Sequence, residues 1–208
     1  MRPDPWVAIE ITRRMRLEGG TLADPGALSV AGVNLLEHQI AVARRVAPAA
    51  RVVLLAPQTD ETLLEIAGRH ELREMSPLDF VAAMRERAAE GAPVVLLRQC
   101  VPLRDARGIM EALDLLAAHP VVVSASRPPQ GHLRLQPPPG ETGPDLRCLA
   151  FEARRASEFA GGLSPEHLLF VPWDSFAEYL GPRDEPEVAA RLRSWGLGRQ
   201  EPGPGRPA

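Results

Sequence analysis

Apolar and polar positions come in blocks along the first 126 residues, and the period changes from block to block. The run "WVAIEIT" (6–12) reads as a strand from its β-branched content. "RRMRLEGGTLADPGALSVAG" (13–32) has no apolar period and carries Gly and Pro, so it predicts a long loop. In "VNLLEHQIAVARRV" (33–46), Leu35, Ile40, Ala43 and Val46 fall near helical spacing, with Asn34 as N-cap. "RVVLLA" (51–56) is a short buried strand, and residues 60–70 form a helix capped by Thr59 or Asp60. Residues 76–91 predict another helix, started by Ser76 before Pro77 and stopped at Gly91. "PVVLLR" (93–98) and "PVVVSAS" (120–126) are continuous apolar runs, as in strands buried on both faces. The helix between them has Asp105 as N-cap and Ile109, Leu113 and Leu116 on one face.

Strands alternating with helices predict an α/β fold with three αβα layers and a mixed, mostly parallel central sheet. The strands at 6–12, 51–56, 93–98 and 120–125 are expected at its centre. Ligands in such sheets lie beyond the carboxyl ends of the strands. Those ends are Thr12, Ala56, Arg98 to Gln99, and Ser124 onwards, so residues 13–30 and Arg98 to Cys100 are expected to line one cleft. Beyond Ser126 a Pro/Gly-rich excursion contains "HLRLQ" as a short edge strand. Strands follow at "LRCLAFEA" and "HLLFVP", and helices at "RRASEFAG", "DSFAEYL" and "EPEVAARLRSWG". Residues 1–196 read as a single domain and 197–208 as a disordered tail.

Composition narrows the function. A net charge of −3 argues against a dedicated nucleic-acid binder. No window is long and apolar enough to span a bilayer, and no secretory leader is visible at the N-terminus. Two cysteines, Cys100 and Cys148, suit a reducing cytoplasm, which is the expected location. All 24 basic residues are arginine, which excludes a Schiff-base lysine, a P-loop lysine or a lysine base. Anions must then be met by Arg, backbone N–H groups, helix N-termini or a metal. No Asp-x-Asp occurs, Ser124 and Ser126 have no identifiable His–Asp partners, and His70, His119, His132 and His167 show no metal spacing.

Four local stretches, in order, carry a family resemblance: "RLEGGTL" (16–22), "AGVNLLEHQIAVARR" (31–45), "LLRQCVPLRDARGIMEALDLL" (96–116) and "PWDSFAEY" (172–179). They resemble the nucleotide-sugar cytidylyltransferases, the acylneuraminate, Kdo and spore-coat polysaccharide relatives, over most of residues 6–195. The resemblance implies a nucleotide-diphospho-sugar transferase-like fold. It also implies transfer of a nucleotidyl group from an NTP, CTP above all, to a sugar acid or sugar phosphate, with pyrophosphate released. It places Arg13, Arg14, Arg16, Gly19 and Gly20 around the nucleotide phosphates, Arg98 and Gln99 at the base or sugar, and Asp174 on Mg²⁺; Arg16 and Asp174 become the catalytic pair. His38, on the helix after the loop, is expected to pack and hydrogen-bond rather than react.

The departures are as informative. No glycine precedes Gly19 in the phosphate loop, and Gly20 stands where the family has lysine. Pro172 replaces the first aspartate of the last motif, and Cys100 or Val101 falls where relatives carry a crest aspartate. Each residue therefore has a plainer reading. The arginines solvate a surface loop, Gln99 and Arg98 are a polar strand end facing water, Asp174 is a helix N-cap and Cys100 a small buried residue. Two functions stand: a Mg²⁺-dependent nucleotidyltransferase, or a degraded relative that binds nucleotide or nucleotide-sugar. Either is compatible with a homo-oligomer or a biosynthetic partner protein, and neither calls for nucleic acid or membrane.

Overall fold

The structure is a computed structural model that describes residues 3–11, 15–16, 22–56, 61–125, 151–155, 168–172, 179 and 182–198. The chain enters through β1 (Trp6–Glu10) and then makes two short antiparallel ladders before α1 (Leu35–Ala43). The ladders pair β2 (Met15–Arg16) with β3 (Leu22–Ala23), and β4 (Ser29–Val30) with β5 (Val33–Asn34). Next come β6 (Val52–Leu55), α2 (Glu61–Arg69), β7 (Arg73–Met75), α3 (Pro77–Glu86), β8 (Pro93–Arg98) and α4 (Arg107–Leu115). β9 (Val121–Ala125), β10 (Phe151–Arg155), β11 (Leu168–Pro172) and α5 (Glu185–Ser194) follow.

Seven strands share one sheet in the order β11-β9-β10-β8-β1-β6-β7. All neighbours are parallel except β10, which runs antiparallel to both β8 and β9. The strand period of two sorts side chains to opposite faces. Val7, Ile9, Val52, Leu54, Val95 and Leu97 pack with Leu36 and Ile40 of α1, Leu63 and Ile66 of α2, and Ile109 and Leu113 of α4. Ala8, Val53, Leu55 and Val94 meet Phe80 and Met84 of α3 on the other face. The result is the expected three layers and mixed, mostly parallel sheet. A third apolar cluster lies apart, where Val188, Ala189 and Leu192 of α5 pack with Leu28, Val30, Leu35 and Tyr179.

Several expectations are corrected. The strand at 120–125, expected at the sheet's centre, lies second from its edge, because β10 inserts between β8 and β9 and leaves β9 next to the edge strand β11. Arg154 and Arg155 belong to that strand rather than to a helix. Arg155 reaches from it to the end of α4, donating to Leu116 O at 2.7 and 3.1 Å and to Ala117 O at 3.0 Å, where a cation suits the helix C-terminus. The loop at 13–32 contains the two hairpin ladders; one turns on Ala31 and Gly32, both at positive φ (52° and 77°), as a two-residue hairpin requires. Edge strand β7 had no apolar alternation to announce it, and its residues are partly or wholly exposed.

Capping shows why the helices start and stop where they do. Asn34 accepts from Glu37 N at 3.0 Å and Ser76 from Asp79 N at 3.1 Å, both as expected. Asp105 is not the N-cap of α4; the cap position is Ala106, and Asp105 accepts from Arg107 N at 2.9 Å, one residue early. Helix α2 closes with bonds from Leu72 N to Ala67 O and Glu71 N to Gly68 O, which puts Glu71 at φ 52°, where glycine is favoured. Tyr179 stands in neither helix nor strand, contrary to the helix expected at 174–180. Leu197, placed in the tail, instead packs on the third cluster and donates to Leu192 O at 2.9 Å. The edge strand at 132–136, the rest of the "RRASEFAG" helix and the Thr59 or Asp60 cap lie outside the described residues. Among the described residues, no helix is long and apolar enough to cross a membrane.

Candidate functional site

From β1 the chain builds outward through β6 to β7, then returns to place β8 on the other side of β1. The reversal falls between β1 and β8, and the crevice outside the carboxyl ends of the strands at such a point is where open α/β sheets bind ligands. The two ends are in step: Glu10 is the Cα partner of Arg98, and Gln99 N donates to Glu10 O at 3.0 Å. On the other side of β1, Ile11 N donates to Leu55 O at 2.9 Å. Exposed Glu10 and half-buried Arg98 therefore stand side by side at the opening.

Past Arg98 the crest folds back into the core. Gln99 is fully buried, which corrects the expectation that it faces water. Cys100, a free thiol, is 4% exposed, and Val101 and Leu103 are fully buried. The carbonyls of this turn are held from inside. Gln39 of α1 donates through one Nε2 to Arg98 O (2.9 Å) and to Val101 O (2.5 Å). Tyr179 N donates to Cys100 O at 2.8 Å, and His38 Nε2 lies 2.6 Å from Leu103 O.

Since Leu103 O can only accept, His38 must carry its proton on Nε2. Burial pushes its imidazole below the ordinary 6.5, and the Arg45 charge lowers it further, against the opposing pull of the Leu103 carbonyl. A His38 that packs and hydrogen-bonds is what the sequence predicted. Burial pushes the Tyr179 hydroxyl up from 10, and Glu185 and Asp184 push the same way, so it stays protonated.

Gln39 was missed. The signal was there: Gln39 lies four residues after Leu35 and three after Leu36, a polar side chain on an apolar stripe. Its Oε1 is buried with no partner among the described residues. An unmet buried acceptor costs about 1–3 kcal/mol, and two neutral hydrogen bonds return about 1 kcal/mol each. The amide thus contributes little net stability; what it supplies is the shape of the crest.

Of the residues singled out in the sequence, Arg98 stands at the crevice and Gln99 beneath it. Arg16 lies on β2, whose ladder with β3 brackets residues 17–21. Arg13, Arg14, Gly19, Gly20 and Asp174 lie outside the described residues. Pro172 ends β11 at the edge of the sheet, and Tyr179 N donates to Cys100 O at the β8 crest. Among the described residues, no three His, Cys, Asp or Glu side chains gather as a metal site. Cys100 offers a buried soft thiol where Mg²⁺ needs exposed hard oxygen, so it is no ligand for that ion, whereas the exposed Glu10 is a carboxylate at these strand ends.

No protein-family model matches the chain, and no curated protein sequence matches it. Solved structures do. The chain is similar to a glucose-1-phosphate thymidylyltransferase from Bacillus anthracis in complex with a sucrose, at 10% identity and TM-score 0.64, covering 93% of this chain and 97% of that one. It is similar to a CMP:2-keto-3-deoxy-manno-octonic acid synthetase complexed with CTP, at 14% identity and TM-score 0.60, covering 94% and 100%. A 4-diphosphocytidyl-2C-methyl-D-erythritol synthase from Anaerococcus prevotii matches at 11% identity and TM-score 0.59, covering 92% and 100%. At these identities the shared property is the fold.

Proposed function

We propose that this chain is a nucleotidyltransferase that moves a nucleotidyl group from a nucleoside triphosphate, CTP above all, to a sugar acid or sugar phosphate. The observation that carries the reading is the β1/β8 crevice with Arg98 at its lip, on the fold of enzymes of which one was solved with CTP. An acceptor oxygen forms a bond to the α-phosphorus, the α–β bridging bond breaks, and pyrophosphate leaves with the electron pair. The protein's part is positioning and charge neutralisation. Arg13, Arg14, Arg16 and Arg98 meet the phosphates, and Gly19 and Gly20 let backbone N–H groups come close. Asp174 is the carboxylate this reading assigns to Mg²⁺, an ion that would neutralise charge on the phosphates.

One observation favours the second reading, a nucleotide binder without turnover: the crest position that relatives fill with aspartate carries the buried Cys100. Pyrophosphate release from CTP with a panel of sugar acids and sugar phosphates separates the two. Release that needs both Mg²⁺ and Asp174, and is lost in Asp174→Asn, establishes the enzyme. Thermal stabilisation by CTP that persists in EDTA, with no pyrophosphate released, establishes the binder; a ligand at about a hundred times its Kd adds about 2.7 kcal/mol. No shift with any nucleotide sinks both.

A further inference from the structure

We propose that Gln39 is the positioning residue of the candidate site, the group that shapes the β8 crest to receive a phosphate-bearing ligand; this rests on the nucleotide reading above. A backbone carbonyl carries partial negative charge, and turned outward at the crevice it would repel phosphate oxygens. In this crest the carbonyls of Arg98, Cys100, Val101 and Leu103 all have partners reaching them from the protein. Besides the turn's own bond from Val101 N to Arg98 O at 3.1 Å, Gln39 engages both of its ends, Arg98 and Val101, with a single amide nitrogen. With those oxygens held from inside, the crest does not turn them toward an anion bound beyond the strand ends.

The helix that carries Gln39 gives this clamp a fixed base. Its first residue, Leu35, packs in the third apolar cluster together with Val30 and Tyr179, and Tyr179 N holds the Cys100 carbonyl between the two that Gln39 holds. Asn34, the N-cap, also donates to Gly26 O at 2.7 Å, tying the helix start to the chain leaving the β2–β3 ladder. The same buried base thus serves the crest, Gly26 after the β2–β3 ladder, and Tyr179. Apolar packing alone does not explain an amide here. A leucine or methionine would fill the space without the buried, unpartnered Oε1.

The test uses full-length Gln39→Leu, with Gln39→Met as a second variant whose flexible side chain fits without strain. Hydrogen exchange is read for the crest (97–106) against β6 and α3, and titration calorimetry with CTP and with inorganic pyrophosphate. The expected result is crest exchange about tenfold faster, with β6 and α3 unchanged. Both probes should bind about tenfold more weakly than to wild type. Unchanged crest exchange, or a loosened crest that binds both probes as wild type does, overturns the proposal. So does exchange that rises evenly everywhere, the signature of a residue that only adds stability. A wild-type chain that binds neither probe overturns the nucleotide reading and the ligand half of this proposal with it, while crest exchange still decides whether Gln39 holds the turn.

Discussion

Arginine stands at both ends of the central sheet, and it does different work at each. At the amino end, Arg51 and Arg87 lie over Trp6, their guanidinium carbons 5.5 and 5.2 Å from its ring. Arg51 also donates to Asp4 O at 2.6 Å, and Arg87 pairs with Glu90 at 2.9 Å. These cations are occupied by structure. At the carboxyl end, Arg98 leaves β8 at the crevice, with the carbonyls around it turned toward Gln39, Tyr179 and His38. A chain without lysine has one cationic side chain for both ends of the sheet. On the function proposed above, Arg51 and Arg87 are cladding and Arg98 the anion contact, and what separates the two roles is the backbone beneath each guanidinium rather than its charge.

The largest expected effect lies at the amino end. Trp6→Ala removes the platform for both cations and apolar contact with the α3-side core, and should cost about 3 kcal/mol, the low end for a tryptophan that is only partly buried. Urea unfolding measures it, and CTP affinity should not move. A loss of CTP affinity equal to that of a crest variant would erase the contrast between the ends.

Arg98→Ala should behave in the opposite way. Losing a charge-assisted contact to phosphate should weaken CTP by about 2 kcal/mol, roughly thirtyfold, with a smaller change in stability. Equal nucleotide binding by wild type and variant would place Arg98 with Arg51 and Arg87 as cladding.

The next effect is pH dependence at the crest. The His38 pKa is lowered in the folded state, so the unfolded chain takes up the proton first. Stability from this group is complete above about pH 6.5 and falls as pH drops below it. The wild-type advantage over His38→Leu should therefore shrink between about pH 7.5 and pH 5 in denaturation midpoints. An advantage that grows on acidification would mean that the folded state holds the charged imidazole.

The smallest effect separates stability from either end. Glu71→Gly relieves a side chain held at positive φ in the α2 closure and should add about 0.5–1 kcal/mol, raising Tm by about 1–4 °C. CTP affinity should stay the same. A drop in Tm would show that Glu71 makes a contact outweighing the strain.

How much was legible depended on range. Asn34, Ser76 and Pro77 were readable as helix starts because a cap is a contact within three residues, and each forms as expected. Asp105 was off by one because its carboxylate reaches Arg107 N from outside the helix. The polar edge strand β7 could not be read, since its pairing with β6 is what makes it a strand. At the site, the Arg98 strand end and a packed His38 were visible; the burial of Gln99 and the reach of Gln39 were not.

By itself the sequence determined the alternation of strand and helix, the apolar runs that commit β1, β6 and β8 to the interior, and the exclusion of lysine from any anion chemistry. Those follow from local periodicity and from which side chains exist at all. Only the tertiary structure decided that β10 would come between β8 and β9, that the crevice would open between β1 and β8, and that one buried amide would hold the crest carbonyls. These rest on contacts between residues far apart in the chain, Gln39 with Arg98 and Tyr179 with Cys100. A hydrogen bond between such partners forms only after the core has paid the entropy of bringing them together, so no local pattern records it.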